Sequence, residues 1–155
     1  MIQRIQTVYL LIVAGLFIAL MFLPLAVVNS GGDTFSFELM GLVSPAQPTE
    51  IAFSTWPLLC LAAIITLISV GNIFLYKKRI LQMRISIYNT LIILGFCILF
   101  GFYLWQMGKS AVLQDMNFTI CIWASFPIIS IIFNYLAIRN IGADEALVRS
   151  LERLR

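Results

Sequence analysis

The sequence predicts an all-α membrane protein, a four-transmembrane-helix bundle with a small β-hairpin-like external cap and a short C-terminal amphipathic cytoplasmic helix. Three observations lead there. Of the 155 residues, 61% are hydrophobic and only 11% are charged, against about 25% charged in soluble proteins. Mean hydropathy is +1.00, and such a chain needs lipid as its solvent. Four stretches without charge, 5–28, 56–76, 85–106 and 118–138, each hold about 20 residues or more, enough to cross about 30 Å of hydrocarbon at about 1.5 Å per residue. Nine of the ten Lys and Arg residues then fall on one side of these spans and only Lys109 on the other.

The first span, 5–28, follows a single positive charge, Arg4. It is longer than the apolar core of a secretory signal, and Pro24 stands where cleavage would be read, so it is read as a retained span. The connection 29–55 opens on Asn29-Ser30-Gly31-Gly32-Asp33, a turn signal. Phe35, Phe37 and Leu39 then alternate with Ser36 and Glu38, the pattern of a half-buried strand. Pro45 and Pro48 interrupt the chain, and Ile51 and Phe53 form a candidate partner strand. A lone hairpin is marginal, so its apolar face is expected on the outer ends of the helices. The connections 77–84 and 107–117 are short, which makes the second, third and fourth helices antiparallel neighbours. The whole chain, 1–155, reads as a single membrane domain without repeats.

Basic residues of short loops stay in the cytoplasm. Arg4, Lys77, Lys78, Arg79, Arg84, Arg139, Arg149, Arg153 and Arg155 therefore place both termini inside. Asp33, Glu38, Glu50 and Asp115 lie on the far side. Tyr9, Tyr76, Tyr88 and Tyr135 mark one interfacial belt, and Trp56, Trp105 and Trp123 mark the other. The tail 139–155 carries Leu147, Leu151 and Leu154 on one helical stripe. Asp144 and Glu145 stand at its start and Arg153 and Arg155 at its end, which suits the helix dipole. A helix this short needs lipid, the bundle or a partner to dock on.

Little in the chain points to chemistry. There is no histidine, which removes the commonest general base and metal ligand. Cys60, Cys97 and Cys121 lie in apolar runs without metal or redox spacing and read as small hydrophobes; a Cys60–Cys121 disulfide is the less favoured reading. No acidic or basic side chain falls inside a span, which argues against ion-coupled transport. No catalytic residue, metal site or cofactor is expected, and the protein is not expected to be an enzyme. Pro127 is placed mid-helix in the fourth span, as a kink. Gly15 with Ala19, and Gly95 with Gly101, are weak close-packing signals.

The most informative polar feature is a layer of asparagines. Asn72 lies five residues before Lys77, Asn89 five after Arg84, and Asn134 five before Arg139. All three therefore share one depth, about 7–8 Å inside the cytoplasmic boundary by helix rise, with Gln6 and Thr7 near it. Unpaired amides are costly in hydrocarbon, so they are expected to face one another across helices. The layer is read first as interhelical glue and second as a cytoplasm-facing pocket for a ligand. Lys77, Lys78, Arg79 and Arg84, with Arg149, Arg153 and Arg155 of the tail, are the candidates for contact with anionic lipids of the cytoplasmic leaflet or with a protein partner. Their dispersal forms no nucleic-acid motif.

Three segments carry a family resemblance: Met1-Ile2-Gln3-Arg4-Ile5-Gln6-Thr7-Val8-Tyr9, the loop from Tyr76-Lys77-Lys78-Arg79 to Leu81-Gln82-Met83-Arg84, and the tail from Asp144-Glu145 to Arg153-Leu154-Arg155. The chain resembles an uncharacterised family, the four-span inner-membrane proteins of the Bacteroidota grouped as a domain of unknown function. The resemblance spans the whole chain and implies a bacterial inner-membrane location. It brings no activity, substrate or catalytic residue. The expected function is that of a non-enzymatic accessory or scaffold protein. It would engage a membrane or cytoplasmic partner through the basic loop and tail. The alternative is a small-molecule or lipid carrier, or a channel component, using the polar layer.

Overall fold

The computed structural model describes residues 3–30, 33–44, 47–75, 78–109 and 117–153. Four helices, α1 (Gln3–Leu20), α2 (Trp56–Phe74), α3 (Arg79–Lys109) and α4 (Phe126–Arg153), carry most of the chain. Five short strands, β1 (Ala26–Ser30), β2 (Asp33–Phe37), β3 (Gly41–Ser44), β4 (Gln47–Ser54) and β5 (Asn117–Ile120), form one sheet. A 3-10 turn, Ile122–Ser125, leads into α4.

The helices pack in a ring. α1 lies against α2 and α4, and α3 lies against the same two. Strands β1 to β4 connect α1 to α2, and β5 belongs to the connection from α3 to α4. Because β5 pairs with β1, antiparallel from Ala26↔Ile120 to Asn29↔Asn117, both connections meet at one end of the bundle. The α2–α3 turn and both chain ends therefore lie at the other.

Three helices are long and apolar enough to cross a membrane, over Trp56–Phe74, Ile80–Gln106 and Ile122–Leu147. They point to a membrane protein. The apolar part of α1, Ile5–Leu20, is shorter. The expected first span ran to residue 28, but the helix stops at Leu20. Pro24 keeps the residue before it out of the helical region, and Val27 and Val28 suit the strand that follows.

The expected hairpin is a five-stranded sheet in the order β4-β3-β2-β1-β5. The alternation of Phe35, Phe37 and Leu39 holds: Phe37 and Leu39 are buried and Phe35 packs beside them on the helix ends. The stretch with Ile51 and Phe53 is indeed a strand, but it pairs with β3 (Leu42↔Phe53, Val43↔Ile51) rather than with β2. A tight turn between Glu38 and Gly41 inserts β3 between them, closed by hydrogen bonds in both directions, 2.9 and 3.2 Å. Gly41 takes a φ of 152°, which side-chain-bearing residues rarely adopt.

The sheet is tied to the helices. Thr55, buried just before α2, donates its hydroxyl to the carbonyls of Glu38 and Leu39 at 3.2 and 3.0 Å. Pro57 then occupies the first turn of α2, where a missing N–H costs nothing. Phe37 meets Phe100 of α3 with ring centroids 5.9 Å apart. Beneath the sheet, Val13, Phe17, Leu58, Ala62, Ile65, Ile93 and Phe96 form an apolar core, with Phe17 and Phe96 edge to face at 5.5 Å.

At the fourth helix the structure corrects two expectations. Residues 117–120 are a strand and 122–125 a 3-10 turn, so Pro127 is the second residue of α4 rather than a mid-helix kink. Pro favours the first turn of a helix, so the kink expected at Pro127 is absent. The tail is also not a separate helix, since α4 runs unbroken from Phe126 to Arg153. Gly15, Gly95 and Gly101 have no atom within 4 Å of where a Cβ would stand, so they do not mark close packing inside the chain. Cys60, Cys97 and Cys121 are free thiols.

Candidate functional site

The half of the bundle away from the sheet holds most of the buried polar side chains, beside apolar ones such as Leu10, Ala137 and Ile141. Gln6, Ser69, Asn72, Gln82, Ser86, Asn89, Ser130, Asn134 and Asp144 are all buried there, and the three asparagines are at most 1% exposed. The outer surface of the same helices is apolar: Leu67, Phe74, Ile98 and Ile132 are each more than half exposed. Polar groups inside and large hydrophobes outside invert the order of a soluble bundle and suit helices in lipid.

The asparagines share one layer, as the spacing predicts, but they do not bond to one another. Each reaches the main chain or a hydroxyl of a neighbouring helix. Asn72 on α2 donates to the Ser86 hydroxyl at 2.7 Å and to the Gln82 carbonyl at 3.3 Å, both on α3. Gln82 returns a bond from its Nε2 to the Asn72 main-chain carbonyl at 3.3 Å. Asn89 on α3 donates to the Ser69 hydroxyl of α2 at 2.9 Å. Asn134 on α4 donates to the Ser86 carbonyl at 2.9 Å and to the Thr90 hydroxyl at 2.8 Å. Thr90 in turn donates to the Ser86 carbonyl at 3.0 Å. Ser86 is therefore the shared node of α2, α3 and α4.

The partners Ser69, Gln82, Ser86 and Thr90 are not among the residues that the spacing from the charged loops singles out. The signal was present, because 82, 86, 89 and 93 follow one face of α3 at steps of four and three. Gln6 does not join the layer. It donates to Asp144 of α4, ten residues from Asn134 and about 15 Å further along the helix. Asp144, expected only as a charge at the start of the tail helix, is instead a buried partner that ties the end of α4 to the start of α1.

Two of the basic candidates are described with their side chains at this end. Lys78 and Arg84 are exposed, and Gly142 of α4 comes close enough that a Cβ there would stand 3.3 Å from the Met83 Cε of α3. The start of α3 and the end of α4 are thus side by side. Arg79, Arg149 and Arg153 belong to α3 and α4, though their side chains lie outside the described positions, as do Lys77 and Arg155 altogether. The aromatic residues divide by end. Trp56, Trp105 and Trp123 stand exposed near the sheet, and Tyr88 and Tyr135 are exposed towards the basic end. Tyr9 packs on Phe133, with ring centroids 6.0 Å apart. Tyr76 lies outside the described residues.

A family model described as a domain of unknown function, DUF4293, matches residues 2–154. The chain belongs to that family. No curated protein matches it. Among the described residues of this DUF4293 chain, no group of three or more Cys, Asp or Glu side chains comes together to hold a metal ion. The DUF4293 bundle thus offers two features on which a function can be built. One is the buried amide and hydroxyl layer around Ser86. The other is the basic end, where the start of α3, the end of α4 and the start of α1 meet.

Proposed function

We propose that this protein is a non-enzymatic accessory or scaffold protein of a bacterial inner membrane, of the kind found in the Bacteroidota, with four spans and both termini in the cytoplasm. In this reading α1 is the fourth span. Its 18 residues reach about 27 Å by helix rise, and Ile5, Val8, Leu11 and Ile18 present apolar side chains outwards. The Lys and Arg bias of the end opposite the sheet supplies the orientation. The sheet then forms an external cap.

The observation that carries the reading is the continuity of α4. Arg139 is exposed and marks the basic interface, yet the helix continues for 14 residues to Arg153, about 21 Å at about 1.5 Å each. Leu147 stands on this extension more than half exposed. An extension held straight by the Gln6–Asp144 hydrogen bond is a presented surface rather than a loose arm. Lys78 and Arg84, both exposed, stand at the start of α3, which the Gly142–Met83 approach brings beside this extension; with Lys77 and Arg79 of the same loop they suit anionic lipid head groups and an acidic rim on a partner.

The test is crosslinking in the native membrane, followed by identification of co-purifying proteins. The chain truncated after Ala146 is the comparison, because it keeps Asp144 and its tie to α1. Insertion is expected to be unchanged, and specific partners to disappear. A truncated protein with the same partners contradicts the proposal. A second reading, a carrier or channel component for a small molecule or lipid, draws on the polar layer of Asn72, Asn89 and Asn134. What favours it is the set of buried acceptor oxygens there without a hydrogen-bond donor.

A further inference from the structure

The polar layer is unevenly satisfied. Every asparagine amide nitrogen in it donates, but the Oδ1 atoms of Asn72, Asn89 and Asn134 are buried without a partner, and so is the Ser130 hydroxyl. Two of these orientations are fixed by chemistry. The nitrogens of Asn72 and Asn134 each meet a main-chain carbonyl, of Gln82 and Ser86, which an amide oxygen cannot do. Exchanging oxygen for nitrogen therefore does not remove the unsatisfied acceptors. Ser130 lies one helical turn from Asn134 on α4, and Asn72 and Asn134 both donate to Ser86, one to its hydroxyl and one to its main-chain carbonyl. The four atoms thus belong to one neighbourhood between α2, α3 and α4.

We propose that this neighbourhood is a binding site for small neutral hydrogen-bond donors, water being the smallest, entered from the basic end of the bundle. The inference rests on the membrane reading above, since lipid itself offers these oxygens no donor. Carbonyl oxygens accept and do not donate, so whatever completes the layer must carry N–H or O–H groups. A bare cation is disfavoured. No carboxylate stands in the layer, and an ion without a counter-charge is costly in a low-dielectric interior. Asp144 is about 15 Å along α4 and engaged by Gln6. Water carries two donors and bridges several buried polar groups at once.

The route follows from the division of the core. Towards the sheet, Phe17, Ile65, Ile93 and Phe96 close the interior with apolar side chains. Towards the basic end polar side chains enter the buried interior, Ser86, Gln82, Gln6 and Asp144, beside the apolar Leu10, Ala137 and Ile141. The four atoms have no accessible surface, so entry needs the helices to part at the basic end. The hydrogen bond from Gln6 to Asp144 is one side-chain tie between α1 and α4 at that end.

The test uses the full chain in lipid nanodiscs with nitrogen-labelled asparagine. Hydrogen exchange with heavy water and magnetisation transfer from water are read at the side-chain amides of Asn72, Asn89 and Asn134. Water contacts are expected at these amides. Exchange should be roughly tenfold faster in Asp144→Ala, the change that goes with losing one buried hydrogen bond. Asp144→Asn keeps an acceptor oxygen for Gln6, so its rates should stay near those of the native chain, and it controls for misfolding. Amides without water contact, or exchange indifferent to Asp144→Ala, overturn the proposal. Failure of the membrane reading would show itself differently, as a chain that stays monodisperse without lipid or detergent.

Discussion

Asn134 shows how much of the site a single residue carries. It joins α4 to α3 through two donated bonds, to Ser86 and Thr90, and interhelical bonds in membranes average roughly 0.6 kcal/mol each. Asn134→Leu should therefore destabilise the bundle by about 1 kcal/mol, seen as a lower unfolding midpoint in detergent. Thr55→Val removes one hydroxyl that reaches two carbonyls of the sheet. A loss of roughly 1 kcal/mol is expected, with Thr55→Ser retaining most of the native stability. The three asparagines were legible in the sequence because each stands five residues from a charge that fixes its depth. Their partners were harder to see. Serine and threonine are common in membrane helices, and only the facing of α2, α3 and α4 tells which of them meet an amide. Asp144 was hidden for another reason: beside Glu145 it has the look of a helix-start charge, and its burial depends on where α1 begins.

At the scale of elements, the errors fall where an apolar run can be either strand or helix. Residues 26–30 and 117–120 are uncharged and adjoin helical runs, so hydrophobicity alone merges them with their neighbours. They become strands because they pair with each other, Val28 opposite Phe118, a contact between connections almost ninety residues apart. Proline gave usable punctuation in one case and a misleading one in the other. Pro24 ends the helical run near Leu20, while Pro127, read as a kink, starts α4. Gly41 controls the turn that places β3 between β2 and β4. Gly41→Ala should cost roughly 1–3 kcal/mol because of its φ. Thermal unfolding would record the loss, and the helix content of the folded protein should not change.

The whole molecule is built from two unlike halves. Under the sheet, aromatic and aliphatic side chains pack as in a soluble core; at the basic end, amides and hydroxyls hold the helices. Membrane character was the most legible property, since composition and the uncharged runs already demand lipid. The ring order of the helices was not, because short loops fix only neighbours. In the proposed four-span arrangement the sheet lies on one face of the membrane and the α2–α3 turn and tail on the other. The most direct measurement labels single cysteines with a membrane-impermeant maleimide in spheroplasts and in lysed membranes, after Cys60, Cys97 and Cys121 are replaced by alanine. Thr34→Cys on β2 should react in intact spheroplasts, whereas Lys78→Cys and Ser150→Cys should react only after lysis. Reaction of all three from the same face, or of Ser150→Cys and Lys78→Cys from opposite faces, would contradict the four-span arrangement.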